Sequence, residues 1–241
     1  MSIRLAQLPD RSRESCGRYN KSVSISQNFT VRAERTVVRA WLWRRILFAA
    51  DEGVGWECWG TELDLKIVEA HQSLGINAFT KLSDNEIPRN YFHWVTAYHV
   101  LEHVYDPVPT LEKMFKMLKH GGRIYIGVPN MDGLIPRLFR GCWYNLGVPV
   151  HPQQFSAKTL VRCLRNAGFQ DIRLRHRSLT QGLLGSIQFA LNDILWRATG
   201  HKRVNMFLRD NRLCQVIALP FTKLMDAVGF GDAIEVTARK I

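Results

Sequence analysis

The apolar positions of this chain fall into short runs punctuated by Gly, Asn, Asp and Pro, and the period switches between runs. Residues 46–50 predict a helix start that ends near Gly53 and Gly55. Residues 56–62 predict a short apolar and aromatic strand closed by an acid. Over 65–74, Leu65, Val68 and Ala70 share one side of a helix, with Gly75 as its stop. Residues 76–79 and 92–97 predict two more strands, the second apolar enough to be a buried parallel strand. A helix follows over 111–118, ended by Gly121-Gly122, and a strand over 123–128. Ser156 is placed to cap a helix over 157–167, with Gly168 beyond it, and 172–175 predicts a fifth strand.

Strands alternating with helices at this spacing predict an α/β fold, a Rossmann-like, doubly wound, mostly parallel sheet. Four parts are expected: a poorly ordered basic segment (1–35), an α/β core (36–178), a helical cap or insertion (179–228), and a closing strand of the core sheet (229–241). The cap segment mixes Trp196, Phe207, Phe221 and Met225 with basic residues, a pattern that also suits peripheral contact with a membrane surface.

Composition narrows this picture. A hydrophobic content of 46 % across 241 residues is enough to bury a core. The formal charge is +12, but residues 1–50 carry ten Lys/Arg against three Asp/Glu. The basic signal is therefore local, without an aromatic–basic reader pattern, and no nucleic-acid partner is expected. Cys16, Cys58, Cys142, Cys163 and Cys214 are odd in number and form no C-x-x-C pair, which predicts a reduced, cytoplasmic chain without a structural zinc. No secretory leader and no run long enough to span a bilayer is expected.

In an open parallel sheet, ligands bind beyond the carboxyl ends of the strands. The first such end is Gly60-Thr61-Glu62-Leu63-Asp64. An acid here can accept both hydroxyls of a ribose, and Glu62 suits that role, whereas Asp64 suits a helix N-terminus. The second end is Tyr98-His99-Val100-Leu101-Glu102-His103-Val104, followed by Asp106-Pro107.

The stretch Phe92 to His103, then Leu118-Lys119-His120-Gly121-Gly122 and Val128-Pro129-Asn130, resembles the class I S-adenosylmethionine-dependent methyltransferases, in the subgroup with LEH and PGG/VPN signatures. The likeness continues through Trp143-Tyr144, Pro149 to Ser156 and Gly168-Phe169. It spans about residues 46–175, and Gly229 to Lys240 resembles the subgroup's closing strand. The resemblance implies an S-adenosylmethionine cofactor held by Glu62 and Leu63 at the ribose, Leu82 and Ser83 beside the adenine, and Tyr98 and His99 at the methionine end. It implies that His103, Asn130, Tyr144 and His151 face a small-molecule, lipid or saccharide acceptor. Positioning supplies much of the rate in methyl transfer, and His103 or His151 is placed to take a proton from the acceptor.

The sequence departs from this pattern. His93 stands where an acid is usual, and Val150 where a base is usual. Above all, Val37-Val38-Arg39-Ala40-Trp41-Leu42-Trp43 occupies the place of the family's first strand and glycine loop. Trp is encoded by TGG alone. If Leu42 is encoded by TTG or CTG, Trp41-Leu42-Trp43 read one base later becomes Gly-Cys-Gly, about twenty residues before Glu62, as such a loop requires. Residues before about Arg45 then read as out of frame, and the N-terminal strand and loop as damaged. A non-catalytic protein that keeps the fold without its cofactor site is the alternative. A remoter one is a zinc hydrolase, because His99-Val100-Leu101-Glu102-His103 also spells H-x-x-E-H. No metal site is assigned, although Glu102 and His103 form a pair able to help bind a divalent ion, as similar quinone-precursor methyltransferases suggest.

Overall fold

A computed structural model describes residues 36–40, 57–61, 64–73, 77–80, 88–201 and 206–241. The described strands are β1 (Thr36–Ala40), β2 (Glu57–Thr61), β3 (Asn77–Phe79), β4 (Phe92–Tyr98), β5 (Leu118–Pro129), β6 (Gln170–Arg177) and β7 (Ala233–Arg239). They form one sheet in the order β3-β2-β1-β4-β5-β7-β6. The pairs from β3 to β5 are parallel, and β7 runs antiparallel between β5 and β6. The mostly parallel α/β sheet expected from the sequence is therefore present.

The first strand, read from the sequence as damaged, keeps its backbone pairing: Thr36–Ala40 pairs in register with both β2 and β4. Val37 and Val38 give that segment ordinary strand propensity despite its unusual continuation. The expected disorder of 1–35, the helix from 46, the Gly75 stop and the loop at 41–43 lie outside the described residues.

Helix α1 (Leu65–Gln72) starts at Asp64, whose carboxylate accepts from Lys66 N at 2.9 Å. This is the N-terminal role read for Asp64 from the sequence. Helix α2 (Pro107–Met117) begins one turn earlier than expected, because Pro107 sits at the first turn, where a missing N–H costs nothing. It also ends before the glycine pair. Leu118 already pairs with Phe92, and the register shift between Phe92 and Trp94 absorbs the extra residues. Gly121 and Gly122 therefore lie inside β5. After α3 (Leu134–Phe139), helix α4 (Ala157–Asn166) carries the expected cap. Ser156 Oγ accepts from Thr159 N, and Thr159 Oγ1 accepts from Ser156 N.

The buried faces of β4, β5 and β7 pack on α2 through Leu111 and Met114 and on α4 through Leu160 and Leu164. After β6 come α5 (Thr180–Thr199), α6 (Phe207–Asp210) and α7 (Arg212–Ala227), a helical layer called the cap below. Leu183, Leu184, Ala218 and Met225 of the cap form a second apolar cluster with Ile135 and Trp143, so the cap grips the loops that follow β5. Burying a Leu, Ile or Met side chain in this cluster contributes about 1.5–3 kcal/mol apiece.

Candidate active site

β1 lies between β2 and β4, so the chain winds one way from β1 to β3 and the other way from β4 onward. A parallel sheet opens a crevice where its winding reverses, beyond the carboxyl ends of the strands. Register sets Phe79, Thr61, Ala40, Ala97 and Ile126 in one row across five strands. The segments that follow each of these residues therefore emerge at the same edge. Two of the six cofactor residues picked from sequence, Tyr98 and His99, are seen there. Glu62, Leu63, Leu82 and Ser83 lie outside the described residues.

Tyr98 lies across β5, where Gly127 makes room: a Cβ at that position would collide with the Tyr98 ring. The ring runs parallel to Tyr125 at 6.4 Å and meets His99 edge-on at 4.6 Å. Burial, reinforced by Glu235, pushes the Tyr98 phenol up to about 12, so it stays a neutral donor at any ordinary pH. His99 leaves the strand with φ +53°, a conformation costly for a side-chain-bearing residue. Its N–H donates to Gly127 O at 2.9 Å, and its Nδ1 meets Glu102 Oε1 at 2.7 Å.

That bond disposes of the zinc-hydrolase geometry. H-x-x-E-H presents two His side chains on one α-helix, but here Leu101–His103 is a single 3-10 turn and His99 belongs to the strand end. Instead the fold gathers Glu102, His103 and His151, whose ligating atoms all lie within 4.8 Å of one another. Two imidazoles and a carboxylate suit a divalent transition-metal ion. His151 is 48 residues from His103, so sequence spacing gave no sign of this grouping. Glu102 is fully buried, and its Oε2 has no hydrogen-bond partner.

The two histidines are oriented alike. His103 Nδ1 donates to Val150 O and His151 Nδ1 to Asn145 O, each at 3.0 Å, and the rings meet edge-on at 4.7 Å. A carbonyl only accepts, so each Nδ1 carries a proton and each Nε2 is left to take one. Gly147 (φ +60°) allows this placement, because a Cβ there would enter the His151 ring. Burial lowers the His151 pKa, which keeps the imidazole neutral at neutral pH.

The two residues assigned only to the acceptor pocket are bound into the framework. Asn130 is fully buried. Its Nδ2 donates to Gly231 O at 2.7 Å and its Oδ1 accepts from Asp132 N at 3.1 Å, so it joins the end of β5 to the start of β7. Tyr144 ties the cap to the core: its N–H donates to Ser186 Oγ at 2.9 Å, and its hydroxyl accepts from Arg209 Nη1 at 2.8 Å. Arg209 and Asp232 were not singled out from the sequence. Asp232 is buried between β7 and α5, and burial raises its carboxyl to about 6. Two grooves beside α4 are lined by Arg165 and its neighbours, and the one that includes Gln170 lies at the amino end of β5, away from this edge.

Known proteins agree with this architecture. No curated protein sequence matches the chain. In structure, a SAM-dependent methyltransferase from Archaeoglobus fulgidus is similar at 16 % identity and a TM-score of 0.54, covering 95 % of this chain and 94 % of its own. A SAM-dependent methyltransferase from Thermotoga maritima is similar at 13 % and 0.53, covering 95 % and 89 %. A geranyl diphosphate C-methyltransferase from Streptomyces coelicolor, solved with Mg2+, geranyl diphosphate and S-adenosyl-L-homocysteine, is similar at 14 % and 0.50, covering 95 % and 81 %. The fold is thus that of SAM-dependent methyltransferases. The profile of the methyltransferase domain matches residues 42–174, more than half of the 241 residues, and the chain belongs to that family.

Proposed function

We propose that this protein transfers a methyl group from S-adenosylmethionine to a hydroxyl or amine of a small-molecule, lipid or saccharide acceptor. The observation that carries this reading is the switch-point crevice, with Tyr98 and His99 at its edge and two Nε2 atoms free beside it. The described residues fit the cofactor, because a neutral phenol donor and a one-third-exposed imidazole stand where its methionine end would lie. Glu62 and Leu63 would hold the ribose, and Leu82 and Ser83 the adenine. The bound cofactor supplies an already activated sulfonium methyl.

The chain's own residues then have two tasks. Tyr98, held flat by Gly127, and His99, held by Glu102, give the crevice fixed walls, and fixed positioning is worth several kcal/mol in such a transfer. His151 or His103 takes the proton that the acceptor loses, at Nε2, because Nδ1 is tied to a carbonyl.

Calorimetric titration of the purified chain with S-adenosylhomocysteine tests this. Binding at roughly micromolar Kd is expected, weakened by Glu62→Ala. A folded chain that binds nothing refutes activity for this sequence and supports the non-catalytic reading, to which Trp41-Leu42-Trp43 lends specific weight. Restoring Gly-Cys-Gly at those positions would then recover binding if the reading frame is the cause, and DNA with no Gly-rich loop in any frame would refute that cause.

A further inference from the structure

Helix α7 is packed the wrong way round for a helix that only completes a core. Of its sixteen residues, Ala218, Thr222 and Met225 alone are buried, two of them small and one polar. Its large apolar side chains point to solvent. Leu213, Val216, Ile217, Phe221, Leu224 and the C-capping Val228 are between 43 % and 69 % exposed. At 100° per residue these six fall within roughly 70° of one line along the helix. Together they amount to about 600 Å² of contiguous apolar surface, the upper end of what monomeric proteins show without a partner. The end of α5, which packs against α7, repeats the pattern with Leu191, Ile194 and Leu195 exposed.

We infer that this cap face docks on the surface of a bilayer containing anionic lipid. The choice of occupant rests on the charges around the apolar stripe. Arg212 and Lys223 are the exposed charged residues of α7, both are basic, and at 100° per residue both fall on the same border of the stripe. The one acid of the helix, Asp226, lies on the inward side, with Oδ1 buried. On α5, Arg197 is already matched by Asp193 at 2.9 Å. The sequence of the whole cap, residues 180–228, holds six Lys/Arg against three Asp. An apolar stripe bordered by cations with Phe221 and Trp196 at hand is the pattern of a helix lying in a lipid interface, its cations meeting phosphate headgroups. A second copy of the chain would bring two more cations to the same patch, and the nearest exposed acid, Asp210, is already paired with Arg209 at 2.7 Å, so like charges would oppose that pairing. No described helix is long and apolar enough to cross a membrane, which makes this contact peripheral.

The contact does not depend on the methyl-transfer reading, and its test reads binding alone. The full chain is sedimented with phosphatidylcholine vesicles, with and without phosphatidylglycerol, at low and high salt. Binding to the anionic vesicles at low salt is expected, falling as salt rises. Arg212→Gln/Lys223→Gln lowers the affinity roughly thirtyfold, since each cation near such a surface is worth about fivefold. Ile217→Gln/Leu224→Gln lowers it at least about tenfold by removing apolar area from the contact. These four side chains are exposed, and unchanged circular dichroism and thermal unfolding confirm that the variants fold. Equal sedimentation of wild type and both variants overturns the inference. So does a chain that ignores vesicles but self-associates through Ile217 and Leu224 in analytical ultracentrifugation, the outcome that assigns the face to a second copy.

Discussion

Asp232→Asn makes the sharpest test of how the cap is joined to the sheet. Asp232 is fully buried where β7 begins, against Gly182 in the first turn of α5, and its Oδ1 has no hydrogen-bond partner. Burial raises its carboxyl from 3.8 to about 6. The folded state therefore holds this proton more tightly than the unfolded chain does. Such a group contributes stability that is complete below 3.8 and is lost as pH rises through 6. The gap between the two values corresponds to about 3 kcal/mol, of which ~1.4 kcal/mol is present at pH 5 and almost none at pH 8. Asparagine keeps the shape and the acceptor for Asn145 Nδ2 but carries no charge to bury. The variant should thus be more stable than wild type by up to about 3 kcal/mol at pH 8, roughly 6–12 °C in Tm for a chain of this size. Near pH 4 the difference should shrink to about 0.5 kcal/mol. Thermal unfolding of both proteins from pH 4 to 8 reads the difference, in which the other titrating groups cancel. A variant destabilised by the same amount at every pH would refute the argument, because it would mean that the ionised carboxylate is a favourable partner rather than a buried cost.

Three further outcomes follow from the site. Gly127→Ala forces the Tyr98 ring off β5, which should cost about 1–3 kcal/mol in urea unfolding and weaken S-adenosylhomocysteine in calorimetry. His151→Gln should lower kcat by about 10²–10⁴-fold if His151 is the base; because burial holds its pKa below 6.5, the wild-type rate should stay level to below that pH before falling, and His103→Gln should show the loss instead if the roles are reversed. Tyr144→Phe removes the hydroxyl that accepts from Arg209 Nη1 and should cost about 1–2 kcal/mol of stability by loosening α6 from the core, read by thermal unfolding and by faster amide exchange in α6.

Local signals made much of this protein legible in its sequence. The period of the apolar runs gave the α/β class, Ser156 and Gly168 bounded a helix, and the LEH and VPN strings fall at the carboxyl ends of β4 and β5. Each of these depends on contacts within a few residues, where spacing is sufficient. The pairing of Thr36–Ala40 was not legible, because a strand central to a sheet is held by neighbours at positions 57–61 and 94–97, and the abnormal residues after it masked its ordinary propensity. The strand through Gly121-Gly122 went against local preference, since tertiary pairing of Leu118 with Phe92 and of Arg123 with Trp94 outweighed it. Only the tertiary structure could bring His151 beside His103 and Glu102, aim Asn130 Nδ2 at Gly231 O, and pass Tyr144 to Arg209. Those contacts join segments from 48 residues apart, His103 to His151, to 101, Asn130 to Gly231, and a chain read one residue at a time carries no record of which distant partner will complete a hydrogen bond. The same holds for the cap: its sequence showed mixed apolar and basic residues, but the fold decided that Ala218 and Thr222 turn inward while Ile217 and Leu224 face the solvent.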